Sequence, residues 1–339
     1  MEKNISISYI DEGKTFDWGK TSEDYAKYRD IYFNSRIGAK KMRIETTRLI
    51  ITEFTIDMAG DVYVNSLDED NRRFVPDEVF ETVEAAEETV EFLMGVYENG
   101  NGPLVYPVTL KDGTYIGYVQ AVPFDDGTWE VGYHIGDKFT KQGYATEAVT
   151  EFLPVVMKQI GITEMTGICL SDNIASAKVM ERCGFIKLYE GIGNYQGKER
   201  EICKFVYYLS PKDIVVKFFE DGYTNQNYDY IMNCVAENYI DNSPAAARSN
   251  ADAVGILKIV AGQFSNLTAK VLDVFAENNM VATRILYDGI HTGTCMGIEA
   301  TGKRITFEAL ENFKVENGKI TESWGYWPDK EIEQKLKAE

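Results

Sequence analysis

The stretch Trp129-Glu-Val-Gly-Tyr-His-Ile-Gly-Asp-Lys-Phe-Thr-Lys-Gln-Gly-Tyr-Ala-Thr-Glu-Ala148 predicts a strand, a tight loop and the start of a helix. Val131, Tyr133 and Ile135 alternate as in a strand, and apolar residues recur at helical spacing after Gly143. Unpaired main-chain N–H groups and the helix dipole favour an anion at such a helix start. Glycine lets a phosphate approach the backbone closely. The stretch therefore predicts a phosphate or pyrophosphate site, although ordinary strand–loop–helix connections share the pattern.

A second motif lies downstream, behind another predicted strand: Asn173-Ile-Ala-Ser-Ala-Lys-Val-Met-Glu-Arg-Cys-Gly-Phe185. Together the two stretches resemble the acetyl-CoA site of the GNAT acetyltransferase superfamily, in its ribosomal-protein N-acetyltransferase-like branch. The family loop reads Gln/Arg-x-x-Gly-x-Gly/Ala, and Thr140-Lys-Gln-Gly-Tyr-Ala145 matches it except at its first position. The resemblance covers roughly residues 45–209.

The resemblance implies that acetyl-CoA is the acetyl donor and that its phosphates lie on this loop. It also implies that Asn173 hydrogen-bonds the pantetheine arm. Thr140 lacks the longer polar side chain of the usual first residue, so Lys141 and Gln142 are expected to compensate. The cofactor-binding residues implied in this way are Tyr133, Ile135, Thr140, Lys141, Gln142, Gly143, Tyr144, Ala145, Thr146, Asn173 and Ser176.

Acetyl transfer to an amine requires removal of a proton from the amine, stabilisation of the carbonyl oxygen and protonation of the departing thiolate. By resemblance, Glu130 is the predicted base, and main-chain N–H groups near 133–135 polarise the acetyl oxygen. Many family members protonate the thiolate with a tyrosine where this chain has Met180, so Ser176 is the predicted donor. Two alternatives stay open: Glu130 as an exposed structural residue, and Ser176 as a helix N-cap or packing residue.

The composition restricts the classes of function. The chain has 339 residues and a formal net charge of −19, which argues against a nucleic-acid surface and suits a cationic amine substrate. Five scattered cysteines without a Cys-x-x-Cys pair predict reduced thiols in a cytoplasmic protein. Two distant histidines give no zinc-ligand spacing, so no metal is expected. We expect no signal peptide, membrane span or membrane partner.

The first part of the chain has the element order of the GNAT fold. Strand patterns at 48–54, 104–110, 115–122, 129–136, 165–170, 185–189 and 201–209 are interleaved with helical patterns. They predict an α/β domain over residues 43–209, with a mixed, largely antiparallel sheet and flanking helices. Residues 1–42 form a predicted N-terminal extension with a short helix near 22–31. Its segment Phe16–Tyr32 resembles the start of a small-molecule methyltransferase family, but no glycine-rich cofactor loop follows.

The pattern restarts after Ser210-Pro211, which predicts a domain boundary there. Helical patterns at 212–223, 228–237 and 249–264 precede four strand-like runs at 269–275, 280–287, 304–314 and 319–324. Helices followed by an antiparallel sheet predict an α+β cone with a central pocket over residues 210–339.

This part of the chain resembles the SnoaL-like cyclase family. The matching segments are Tyr239-Ile-Asp-Asn-Ser-Pro244, Gly289-Ile-His-Thr-Gly293, Ala300-Thr-Gly-Lys303 and Phe313-Lys-Val-Glu-Asn-Gly-Lys-Ile-Thr-Glu-Ser-Trp324. The predicted pocket residues are Tyr239, Asp241, His291, Glu311 and Trp324, with His291 facing Glu311. Asn242 replaces the usual histidine and Glu311 the usual aspartate, and these two departures argue against cyclase chemistry.

These patterns predict an acetyl-CoA-dependent N-acetyltransferase acting on a primary amine, either a protein N-terminus or a small molecule. The fused cone is expected to bind a ligand or to hold the chain as a homodimer. Two alternatives stay open, namely cyclase or hydrolase activity in the cone, and a non-catalytic protein that binds acyl-CoA or another ligand.

Overall fold

The structure is a computed structural model that describes residues 41–99, 102–124 and 126–338. The predicted helix near 22–31 and the methyltransferase-like segment lie outside these residues. The chain divides into two compact units. The first comprises the described residues up to Ile160 together with Met165–Tyr207, and the second comprises Gly161–Glu164 and the residues from Tyr208 onward. Whether a chain cut near Ser210 folds in two independent parts stays a prediction.

The first unit combines one sheet with flanking helices. Its strands are β1 (Arg43–Glu45), β2 (Leu49–Thr52), β3 (Leu104–Leu110), β4 (Tyr115–Pro123), β5 (Trp129–Ile135), β6 (Glu164–Leu170), β7 (Ile186–Tyr195) and β8 (Lys198–Tyr208). Its α-helices are α1 (Ala59–Ser66), α2 (Glu69–Phe74), α3 (Val83–Asn99), α4 (Tyr144–Ile160) and α5 (Ile174–Arg182). Short 3₁₀ turns occupy Ile56–Met58, Pro76–Glu78 and Asp137–Phe139.

The strands of this sheet run in the order β1-β2-β3-β4-β5-β6-β8-β7. β1 to β5 pair antiparallel with their neighbours, β5 and β6 are parallel, and β7 pairs antiparallel with β8. The predicted mixed, largely antiparallel sheet with flanking helices is therefore confirmed. Its core lies between the central strands and α4, whose Phe152, Leu153 and Val156 are fully buried. Val156 follows Phe152 by four positions and Leu153 by three, so the three residues share one face of the helix.

One helix of the first unit forms in a polar stretch of sequence. The side chains at 71–73 are typical of a loop, but α2 covers Glu69–Phe74. Its first turn is acidic and its last turn carries Arg72 and Arg73. These charges complement the helix dipole, and this favours a short helix despite the polar sequence.

The second unit places four α-helices against a five-stranded sheet. The helices are α6 (Pro211–Phe219), α7 (Tyr228–Cys234), α8 (Asn250–Gln263) and α9 (Asp329–Lys337). A π-helical turn at Glu220–Thr224 follows α6. The strands are β9 (Val235–Asp241), β10 (Phe264–Glu277), β11 (Met280–His291), β12 (Arg304–Glu316) and β13 (Lys319–Tyr326).

This second sheet has the order β10-β11-β12-β13-β9, with β9 parallel to β13 and the other pairs antiparallel. Register shifts interrupt β10 near Ser265 and Val271, and bulges of this kind bend a strand. Phe218 and Phe219 of α6 pack on Phe313 of β12, with ring centroids 5.7 and 5.5 Å apart. The predicted α+β architecture is confirmed, with β10 to β13 antiparallel as expected and the edge strand β9 added in parallel.

Two elements of the second unit differ from the sequence-based prediction. The helical pattern at 228–237 was expected to be one helix, but α7 ends at Cys234 and β9 begins at Val235. Pairing of β9 with β13 supplies hydrogen bonds that a local helical pattern does not anticipate. The helix α9 was not predicted, and it buries Ile332 and Leu336.

Candidate active site

A cleft opens in the first sheet where the parallel strands β5 and β6 separate. The two strands share the ladder pair Glu130–Thr166. The Thr166 hydroxyl donates to the carbonyl of Trp129 at 2.8 Å and secures this end. Farther along, residues of both strands, such as Tyr133 and Ile168, line a cavity of about 680 Å³. The separation of the strands therefore creates room for an extended ligand between them.

The phosphate-loop residues surround one end of this cleft. Backbone dihedral φ is +61° at Lys141 and +83° at Gly143, and α4 begins at Tyr144. The predicted residues that line the cleft here are Thr140, Lys141, Gly143, Tyr144, Ala145 and Thr146. Gln142 does not line it, because its side-chain amide donates to the carbonyl of Lys138 at 3.4 Å. The role of Gln142 in binding the cofactor stays a prediction.

Arg48, which was not predicted as a site residue, braces the same loop. Its Nη1 donates to the carbonyl of Gln142 at 2.9 Å, and its Nε donates to Oε2 of Glu147 at 2.6 Å. Its guanidinium carbon also lies 4.4 Å from the ring centroid of Tyr144. Arg48 and Glu147 stand 99 residues apart in the chain, so no local sequence pattern indicates their contact.

Glu130 lies at the point where β5 and β6 begin to separate. It is 2% exposed, lies opposite Val122 of the neighbouring strand β4, and lines the cleft. The alternative of an exposed strand glutamate is therefore wrong. Side chains alternate along a strand, so Glu130, Gly132 and His134 lie on one face of β5, and Tyr133 lies on the other.

Tyr133 and Ser176 form a hydroxyl pair on that other face. The Tyr133 hydroxyl donates to the main-chain carbonyl of Ser176 at 3.0 Å and lies 2.9 Å from Ser176 Oγ. Burial raises the pKa of Tyr133, so its phenol stays protonated at neutral pH. Asn173 is the N-cap of α5, since its side-chain oxygen accepts from the Ser176 N–H at 3.0 Å. The alternative of Ser176 as the N-cap is therefore excluded.

His134 also lines the cleft and was not predicted as a site residue. Its Nε2 lies 3.7 Å from Oδ2 of Asp68. Burial lowers the pKa of His134 and outweighs the opposing effect of Asp68, so the imidazole is neutral at pH 7. This face of β5 is closely packed, since a Cβ added at Gly132 would lie only 2.4 Å from Nε2 of Gln120.

A separate cavity of about 300 Å³ lies within the second unit. The predicted pocket residues Tyr239, Asp241 and Glu311 line it. Tyr287 donates to Oε1 of Glu311 at 2.9 Å. Burial raises the pKa of Glu311 to about 7. This carboxyl group therefore titrates near neutral pH.

His291 and Trp324, the other two predicted pocket residues, lie elsewhere. Glu311 pairs with Thr283, and His291 stands about 26 Å farther along β11 at roughly 3.3 Å per residue. His291 is fully buried, and its Nδ1 accepts from the Thr301 N–H at 3.2 Å. The prediction that His291 faces Glu311 is therefore wrong.

Trp324 is placed on the other face of its strand. Its neighbours Ser323 and Gly325 line the cavity, and side chains alternate along β13. The predicted lining role of Trp324 is therefore wrong, and the tryptophan that lines the cavity is Trp327.

Two further findings concern residues 41–99, 102–124 and 126–338. In these ranges no group of three or more His, Cys, Asp or Glu side chains is placed to hold a metal ion. No helix formed by the same ranges is long and apolar enough to cross a membrane.

Comparisons with known proteins match both units. Residues 48–186 match the acetyltransferase (GNAT) domain model, and residues 213–336 match the model described as SnoaL-like polyketide cyclase. The uncharacterized N-acetyltransferase YnaD of Bacillus subtilis is 30% identical over 145 residues, which cover 42% of this chain and 82% of YnaD.

Two solved structures are also similar. A GNAT-family acetyltransferase from Bacillus anthracis is 23% identical, with a TM-score of 0.43, over 49% of this chain and 98% of its own. A SnoaL-like protein from Jannaschia, titled a putative polyketide cyclase, is 17% identical, with a TM-score of 0.36, over 38% of this chain and 92% of its own.

The first unit carries the family's acetyltransferase domain, and the second carries a SnoaL-like domain. The chain is an N-acetyltransferase and belongs to the GNAT acetyltransferase family.

Proposed function

We propose that the chain transfers the acetyl group of acetyl-CoA to a primary amine bound in the cleft of the first unit. The observation that carries this proposal is the arrangement of proton-transfer groups on β5. A buried carboxyl group, Glu130, lies on one face, and the Tyr133–Ser176 hydroxyl pair lies on the other. Acyl transfer to an amine needs a base for the nucleophile and an acid for the leaving group.

The cleft residues fit acetyl-CoA as the donor. The positive φ of Gly143 turns the chain into α4, whose first N–H groups suit a pyrophosphate. The exposed cations Lys141, Lys178 and Arg182 line the same cleft and suit further phosphate charge. Bound there, acetyl-CoA supplies a thioester as the acyl donor.

The chain's own residues then have distinct tasks. Glu130 accepts a proton from the ammonium form of the substrate, because only the neutral amine is a nucleophile. Main-chain N–H groups near 133–135 stabilise the acetyl oxygen. Ser176 Oγ donates a proton toward the sulfur, while the phenol of Tyr133, 2.9 Å away, donates to Ser176 Oγ in place of the Ser176 carbonyl.

The Glu130 face of β5 favours a cationic amine as the acceptor. Gln120 packs over Gly132 and donates to Glu78 at 3.2 Å, which brings a second carboxyl group to this face. Asp68 beside His134 contributes a third. Such a cluster of carboxyl groups attracts an ammonium ion and raises its local concentration.

Thiol release from acetyl-CoA, measured with a panel of primary amines and matched alcohols, tests this function. We expect amines, either small molecules or peptides with a free N-terminus, to accelerate release by orders of magnitude over water. Release that no amine accelerates, or that alcohols accelerate equally, would overturn the proposal.

For the second unit we propose ligand binding rather than cyclisation. Glu311 lines a cavity with aromatic and aliphatic walls, but His291, the expected partner, lies far along β11. The SnoaL-like unit therefore has a cavity but lacks the predicted pairing of His291 with Glu311. A role in holding the chain as a homodimer is the second proposal for this unit.

A further inference from the structure

The cavity of the second unit has a buried floor and an exposed mouth. Glu311 and Phe313 of β12 form the floor and are 8% and 1% exposed. Tyr326, Met296 and Asp329 line the mouth and are exposed. A volume of about 300 Å³ is enough for a small organic molecule.

The charges that line this cavity have one sign. Its carboxyl groups are those of Asp241, Glu311 and Asp329, and within the described part of the second unit no Lys, Arg or His lines it. Asp241 is fixed by Ser243, whose N–H and hydroxyl donate to its two oxygens at 2.8 and 2.7 Å. Arg248 donates to the main-chain carbonyl of Asp241, not to its carboxylate.

Aromatic rings and aliphatic side chains together form most of the remaining walls. Trp327 packs on Tyr287 and Phe307 with ring centroids 4.9 and 4.8 Å apart, so its indole is held in place. The aromatic residues that line the cavity are Phe218, Tyr223, Tyr239, Phe313, Tyr326 and Trp327. Aromatic faces attract organic cations, and carboxylates add to that attraction and repel anions.

We propose that this cavity binds an organic cation, with the ammonium group at Glu311 and an apolar body against Trp327 and Tyr223. The proposal rests on the ligand-binding function of the second unit, and it is independent of acetyl transfer in the first. It adds the chemical class of the ligand, which the likeness to SnoaL-like proteins does not supply.

Protonation of Glu311 gives the proposal a distinct signature. The pKa of about 7 leaves a substantial share of molecules with a neutral Glu311 at pH 7. An ammonium ion stabilises the ionised form, so its binding releases protons, and affinity increases as pH rises through 7. Between pH 6 and pH 8 we expect an increase of about tenfold.

The groups around Glu311 leave the direction of this pH dependence unchanged. Burial raises the pKa values of the three facing tyrosines, which stay neutral over this range. The groups facing Glu311 are Tyr223, Tyr239, Asp241, Tyr287 and the indole of Trp327.

The test uses the full-length protein without acetyl-CoA and two probes of similar shape, 2-phenylethylamine and the neutral 2-phenylethanol. Binding is followed by tryptophan fluorescence, to which Trp327 in the cavity contributes. Calorimetry in buffers of different ionisation enthalpy counts the released protons. We expect the amine to bind at least about tenfold more tightly than the alcohol and to release protons.

Two variants locate the site. Glu311→Gln keeps the shape of the side chain and should abolish the proton release and the amine preference of this cavity, while amine bound in the cleft of the first unit stays bound. Glu308→Gln is the matched control, because Glu308 lies on the exposed face of the same strand and pairs with Arg284. It should bind both probes as the wild type does.

Three results would overturn the inference: equal affinity for the two probes, proton release on amine binding that persists in Glu311→Gln, or no amine binding at millimolar concentration. Equal affinity with a clear fluorescence change would leave ligand binding in place and reject only the cationic class. Thiol release from acetyl-CoA is measured separately, so its failure would not affect this result.

Discussion

At the scale of single residues, Tyr133 and Ser176 act as one unit because each hydroxyl lies within hydrogen-bond distance of the other. We expect Ser176→Ala to lower the turnover number by roughly 10²-fold and Tyr133→Phe to lower it less. The double variant should be little worse than Ser176→Ala, because the phenol acts through the serine. Tyr189→Phe removes an exposed hydroxyl that donates to Ile192, and it should leave the turnover number unchanged. Additive losses would contradict the shared role.

Glu130 is the second residue whose role is open to test. Replacement by Gln should lower acetyl transfer by roughly 10²-fold at neutral pH, and high pH should partly restore it because more of the amine is then neutral. Pre-steady-state and steady-state rates across the pH range measure this effect. Glu151→Gln on the exposed side of α4 is the control. A profile of Glu130→Gln parallel to that of the wild type would exclude Glu130 as the base.

At the scale of elements, the loop before α4 depends on a backbone conformation that only glycine adopts readily. We expect Gly143→Val to abolish detectable acetyl-CoA binding, because φ of +83° is strained for valine and the added methyl groups occupy the phosphate's approach. Isothermal titration measures the affinity. Gly113→Val, at φ +91° in the turn between β3 and β4, carries similar strain away from the cleft. Gly113→Val should lower the stability of the fold but keep the affinity for acetyl-CoA. An equal loss of acetyl-CoA affinity in both variants would show that Gly143→Val acts through folding.

The same loop region shows which features of the site can be predicted from the sequence. The strand, the loop and the start of α4 follow from alternation, glycine placement and helical spacing, and the structure has them at Trp129–Ile135 and Tyr144–Ile160. The role of Arg48 could not be predicted from local sequence patterns, because Arg48 and its partner Glu147 are 99 residues apart in the chain. The distance between His291 and Glu311 was equally out of reach, since it depends on the register of β11 with β12.

Segments whose structure depends on distant partners were predicted less well. β9 has a helical pattern at its start and becomes a strand through its pairing with β13. The outward orientation of Trp324 follows from strand alternation once the register of β13 is known. Local periodicity predicted most elements, whereas the strand β9 and the orientation of Trp324 depend on the pairing of strands in the folded chain.

At the scale of the whole molecule, we propose that each unit has its own core and site. A chain ending at Leu209 should stay folded, bind acetyl-CoA and keep most of its turnover with small amines. The full chain should sediment as a dimer and the shortened chain as a monomer, if the second unit holds the chains together. A monomeric full chain would contradict the dimer. A folded but inactive shortened chain would show that the second unit completes the first site.

The central claim is that the full chain moves the acetyl group of acetyl-CoA to a primary amine with Glu130 as base. Its most direct measurement follows labelled acetyl from acetyl-CoA into the amine product, with wild type and Glu130→Gln side by side at pH 7. We predict labelled acetylated amine with the wild type and roughly 10²-fold less with the variant. No labelled amine from the wild type, or equal product from both proteins, would contradict the account.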